Sequence, residues 1–219
     1  MELERIYSFL RELKQNNNRE WFNDHKKAYD EVRAIFEAYT QQIINRIAVF
    51  DPTVMPVEVK DCVFRIYRDV RFSNNKLPYK THMGAYINPK GRKSDGFGYY
   101  IHLEPGNSLL GGGSIGLPTK QLTLIRESIS ERIDEYIDIV EDPEFKKYFS
   151  TVGEDFLKSA PKGFSKDYEY IDYLKCKEYI CSYPISDDFV LEPTAPDEIG
   201  LVFEQAKRYG DFINTALGY

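Results

Sequence analysis

The segment from Lys60 to Lys93 carries nine lysines and arginines but only two acids, Asp61 and Asp69. That is a local charge of +7 in a chain whose formal net charge is −6. Charge sorted in this way focuses a field, and it also restricts folding. Two like charges ~4 Å apart repel by ~1 kcal/mol in water and by ~4 kcal/mol at an effective dielectric of 20. Arg65, Arg68 and Arg71 must therefore lie apart or be compensated by an acid or a bound anion.

The run Phe64 to His82 interleaves these cations with aromatic rings. Arginine suits two-pronged gripping of phosphate or carboxylate. The pattern predicts an anion site, phosphate-like in chemistry, formed by Arg65, Tyr67, Arg68, Arg71, Lys76, Tyr79 and Lys80. Asp69, His82 and Glu104 are the candidate general acids or bases. The competing reading is a solvated edge strand with ordinary ion pairs. Val63 to Phe72 alternates as a strand does, which places Arg65, Tyr67, Asp69 and Arg71 on one face. Arg68 would then point with Phe64, Ile66, Val70 and Phe72, and a buried unpaired arginine is costly. Either the strand ends or bulges near Arg68, or Arg68 pairs with an acid such as Glu104.

The 219 residues are 42% hydrophobic and 29% charged, enough for a substantial core without a disulfide or metal. One α+β domain over residues 1–219 is the simplest organisation. Cys62, Cys176 and Cys181 are odd in number and form no C-x-x-C pair, which favours reduced thiols and a cytoplasmic setting. The acidic N-terminus has no apolar leader. No apolar run is long enough to span a membrane.

Along the chain, Leu3, Ile6, Leu10 and Leu13 mark a first amphipathic helix. Asn18 is placed to cap a second, from about Arg19 to Ile47, with Trp21 and Phe22 as core. Met83–Ile87 and Phe97–Leu103 read as strands, and Pro89–Gly96 as a basic loop. The strand spacing suggests an antiparallel meander. Pro118 opens a third helix through Val140, with Arg126 on its surface. Asp142-Pro143 caps a short helix. Tyr168–Leu174 reads as a helix and Glu178–Tyr183 as a strand with Ile180 buried. A last helix begins at Pro196 or Asp197.

Gly111 to Gly116 contains the letters of two motifs. Gly111-x-Gly113-x-x-Gly116 matches a dinucleotide fingerprint, but antiparallel neighbours are the wrong setting. Gly112-x-Ser114-x-Gly116 matches a nucleophile elbow, but all three histidines lie upstream. Backbone that turns tightly or approaches a neighbour closely explains the glycines better. No short metal-ligand spacing is present, and neither a metal nor a cofactor is expected. His82 and His102 could still meet across adjacent strands, with Glu104 nearby.

The run Phe64 to Ser73, Lys76 and Pro78 to His82 resembles the signature of the domain-of-unknown-function family 2461. So do Arg19-Glu20-Trp21-Phe22 with Lys26 and Tyr29, Tyr99 to Leu103 followed by Gly111 to Gly113, and Pro161 to Phe164. The resemblance covers nearly the whole chain. It implies one soluble domain centred on the arginine stretch and assigns no catalytic residue.

Two functions fit the residues. One is an enzyme on a phosphorylated small molecule, with the cations stabilising developing charge. The other is a non-catalytic module for a nucleotide or nucleic acid, with Tyr67, Phe72 and Tyr79 stacking on bases. The sequence pI of 5.3 argues against broad nucleic-acid binding but leaves a local basic groove open.

Overall fold

The computed structural model describes residues 2–219; Met1 lies outside the described residues. The chain is an α+β fold with a four-stranded antiparallel sheet in the order β1-β2-β3-β4. The strands are β1 (Met83–Ile87), β2 (Gly98–Leu103), β3 (Ser108–Gly113) and β4 (Cys181–Ile185). The expected meander is thus present. No described helix is long and apolar enough to cross a membrane.

The backbone divides into two compact units. The first comprises residues 1–92, 100–110 and 184–200. In it α1 (Glu2–Gln15) buries Ile6, Leu10 and Leu13, which recur at steps of three and four as one helical face requires. Asn18 caps α2 (Arg19–Asp24), its side chain accepting from the Trp21 N–H. The predicted long helix is broken at His25, and α3 runs from Lys26 to Phe50. The break has a local cause. His25 adopts φ −105° and ψ 16°, its ring stacks on Trp21 at 4.0 Å, and its Nδ1 contacts the Trp21 carbonyl at 2.8 Å. Trp21 is accordingly half-buried at this corner, while Phe22 is core. A 3₁₀ turn (Pro52–Val54) and the short α4 (Val59–Cys62) lead to the basic segment. Helix α9 (Asp187–Leu191) also lies in this unit.

The second unit comprises residues 93–99, 111–183 and 201–219. The single helix expected from Pro118 to Val140 is two, α5 (Thr119–Glu131) and α6 (Ile133–Val140), because Arg132 leaves the helical region at ψ 43°. Asp142 caps α7 (Pro143–Tyr148) as predicted. The helix expected from Tyr168 is only α8 (Ile171–Leu174). Near β4 the buried residues are Tyr179 and Cys181, not Ile180. Arg126 is not on the surface. It is 7% exposed and donates to the Leu174 carbonyl at 2.8 Å and the Cys176 carbonyl at 2.7 Å. Buried carbonyls at the end of α8 need donors, and Arg126 supplies them.

Helix α10 (Ala195–Leu217) closes the chain and buries Ile199, Val202, Phe203, Ala206, Tyr209 and Ile213. Gly111 to Gly113 form the end of β3, and Gly116 lies beyond it. Gly113 ends β3 at φ +130°, and a Cβ there would lie 2.7 Å from the Tyr179 carbonyl oxygen. Conformation and close approach both require glycine at that point.

Candidate functional site

The segment expected to be a strand from Val63 to Phe72 forms no strand. It pairs only at isolated bridges, Val63 with Ala85 and Tyr67 with Tyr79. The hydrogen bonds Phe64 N–H to the Gly84 carbonyl (2.9 Å), Lys80 N–H to the Ile66 carbonyl (2.8 Å) and Arg68 N–H to the Pro78 carbonyl (2.9 Å) hold it in place. Proline offers no N–H to extend such a ladder. Beyond Arg68 the backbone becomes an exposed loop.

Three aromatic rings pack together here, and two of them, Tyr67 and Tyr79, face a groove with the buried Phe22 behind them. Phe22 stacks on Tyr79, with centroids 4.0 Å apart and planes 17° apart, and meets Tyr67 edge-on at 5.7 Å. Asn17 fixes Tyr79 by its backbone. Its Nδ2 donates to the Tyr79 carbonyl at 3.0 Å, and its Oδ1 accepts from the Tyr79 N–H at 3.1 Å. A cavity of about 310 Å³ opens above, lined by Arg19, Asn23, Tyr67, Arg68, Val70, Pro78 and Tyr79. Arg19 and Asn23 stand four residues apart on α2, and so on one helical face.

The lining contains two arginines and no acid. Arg68 does not pair with Glu104. It donates to the Leu77 carbonyl at 3.1 Å and the Ser73 hydroxyl at 3.4 Å. It is half-buried yet has no carboxylate partner among the described residues. Arg19 has none either.

Of the seven predicted ligand-binding residues, Tyr67, Arg68 and Tyr79 line the groove. The other four do not. Arg71 grips Asp69 through two side-chain bonds, at 3.0 and 2.6 Å. Lys76 donates to the Val70 carbonyl at 3.0 Å. Lys80 lies 5.0 Å from the Phe64 ring, and Arg92 lies 5.8 Å from the same ring. Arg92 also donates to the Val63 carbonyl, so it is more than a solvated loop tip. Burial, with Arg65 and Arg92 nearby, pushes the Lys80 ammonium pKa down. Arg65 is exposed.

The three predicted acid–base residues separate. The Arg71 side chain holds the Asp69 carboxyl down at about 2, which makes it a weak proton acceptor. His82 and Glu104 instead gather around His102. The imidazoles of His82 and His102 stack at 4.2 Å. The Tyr100 hydroxyl meets His102 Nδ1 at 2.9 Å, and His102 Nε2 lies 3.4 Å from Glu104 Oε2. Thr81 donates to Glu104 at 2.7 Å and Asn107 donates at 3.0 Å. Burial, the His102 ring and Lys80 push His82 down to about 4. Burial also lowers His102, against the pull of Glu104. For Glu104, burial acts upward, but hydrogen bonds from Asn107, Thr81 and His102 outweigh it and hold the carboxyl below its usual range.

Arg19 and Asn23 were missed as lining residues. The available signal was their position: Arg19 opens the capped helix whose Phe22 is buried, and it stands in a stretch that carries the family resemblance. A family model described as "Conserved hypothetical protein (DUF2461)" matches residues 5–212. No curated protein and no solved structure matches the chain.

Proposed function

The chain belongs to the DUF2461 family, and from that premise we propose that it binds a small molecule bearing a phosphate-like anion in the groove between Arg19 and Arg68. One observation carries the reading: a cavity of about 310 Å³ with two arginines and two tyrosines in its wall and no acid. Arg68 spends only two donors, on Leu77 and Ser73, and neither guanidinium is paired with a carboxylate among the described residues. Asn23 can donate or accept beside them. Tyr67, 44% exposed, offers a ring face for a planar part of the ligand. The groove is lined by no nucleophile-and-base pair, so the reading is one of binding, with an enzymatic role resting on groups outside the lining.

Isothermal titration with inorganic phosphate and with nucleoside and sugar monophosphates tests it. A hydrogen bond to a charged group contributes ~1.5–3 kcal/mol. Arg68→Ala and Arg19→Ala are each expected to weaken the best ligand roughly 10- to 100-fold. Equal affinity in wild type and both variants sinks the reading.

A second reading has its own observation. Phe72 is 94% exposed, with Arg71 lying 5.8 Å from its ring, on a loop that also carries Lys76. Such a tip suits stacking on single-stranded nucleic acid. It predicts oligonucleotide binding that fades steeply with salt and is lost in Phe72→Ala, with Arg19→Ala unaffected.

A further inference from the structure

We propose that His82, His102 and Glu104 form a site for one divalent transition-metal ion of zinc-like preference, with further coordination positions open to solvent or ligand. One donor atom from each of the three residues lies within 4.8 Å of the others. The pair His102 Nε2 and Glu104 Oε2, 3.4 Å apart, is long for a charge-assisted hydrogen bond. Two ligands bound to one tetrahedral ion at ~2.0–2.1 Å stand about 3.3–3.4 Å apart. The observed separation, a long hydrogen bond without an ion, is also the one that shared coordination requires.

The surroundings fit as well. Tyr100, His102 and Glu104 follow at every second residue through and just past β2, so they share one face of the sheet. His82 immediately precedes β1, the neighbouring strand. Metal-binding imidazoles almost always have their second nitrogen fixed by a hydrogen bond. Here His102 Nδ1 meets the Tyr100 hydroxyl, which leaves Nε2 to face Glu104. Tyr100 is itself seated against Gly84, where a Cβ would lie 2.9 Å from its oxygen. The carboxylate is held on both oxygens by Thr81 and Asn107. The His102 and Glu104 side chains are only 13% and 16% exposed, which limits competition from water. Lys80 and Arg68 act on His82 with positive charge, so a bare dication is resisted there, and one carrying an anion in its open positions is resisted less.

The test uses the full chain, stripped with a chelator and titrated with Co²⁺, then Zn²⁺. One equivalent of Co²⁺ is expected to give visible d–d absorption bands, and Zn²⁺ is expected to abolish them. In ¹⁵N-labelled protein the ring nitrogens of His82 and His102 should shift with Zn²⁺, while those of His25 stay. Glu104→Gln should weaken Co²⁺ at least tenfold, and Thr81→Ala about tenfold. Absence of the bands overturns the proposal. So does unchanged affinity in Glu104→Gln, or ring signals of His82 and His102 that do not move. The ring-nitrogen measurement needs no variant, so it decides the matter even where a substitution unfolds the chain.

Discussion

Arg126 and Arg68 both direct guanidinium N–H groups at main-chain carbonyls, yet they are opposite kinds of residue. Arg126 lies in the second unit, buried, with strong bonds to the Leu174 and Cys176 carbonyls. Arg68 lies in the first, half-buried, with one bond of 3.1 Å to Leu77 and a weak one to Ser73, and it lines a cavity. Partner type does not separate an arginine that is buried in the fold from one that lines an open groove. What separates them is how much donor capacity is left facing open space.

The comparison can be broken by stability measurements. Arg126→Ala leaves two buried carbonyls without donors, and its expected cost is ~3 kcal/mol, read as a shift in the denaturant midpoint with anion affinity unchanged. We propose that residues 1–219 unfold as one domain, so this shift should appear in a single transition, the same by circular dichroism and by Trp21 fluorescence, although Trp21 lies in the first unit. Two separate transitions would divide the chain.

Asn17→Ala should come next, at ~1–2 kcal/mol, because it removes both bonds to the Tyr79 backbone; the same variant should loosen the groove and weaken anion binding several-fold. Arg68→Ala is expected to cost less than ~1 kcal/mol in stability while losing most anion affinity. A stability cost equal to that of Arg126→Ala would erase the distinction between the two arginines.

The smallest effect concerns Asp69. Its folded pKa, about 2, lies below the ordinary value of ~3.9. The folded chain therefore holds fewer protons than the unfolded one between those values, and stability falls as pH drops from ~4 through about 2. The carboxyl ¹³C signal of Asp69 should titrate near 2 in wild type and return toward ~4 in Arg71→Ala.

Much of this was legible in the sequence. The Asn18 cap, the buried face of α1, and the strands β1 and β2 follow from residue chemistry and periodicity. The conflict at Arg68 was legible too, since an alternating strand would have buried it; the chain resolves it by leaving the strand geometry altogether. The helix breaks at His25 and Arg132 were not legible, because apolar spacing continues through both, and only backbone angles mark them. Arg126 carried an overlooked signal: it stands with Leu122, Ile125 and Ile129 in one i, i+3, i+4, i+7 stripe. The joining of His82 to His102 and Glu104 was foreseen as a meeting across strands. Arg19 was not foreseen, because its role depends on how α2 lies against Tyr79.

That placement rests on Asn17. Its amide presents one donor and one acceptor at the spacing of a peptide unit, so it acts as a counterfeit strand residue, pairing with Tyr79 where no strand exists. Aspartate lacks the donor, and glutamine is one methylene too long. Arg19 follows two residues later, and Arg68 is tied to the same strip of backbone through the Pro78 carbonyl. A single side-chain amide thereby works as a caliper: it sets the gap between the two cations that line the groove.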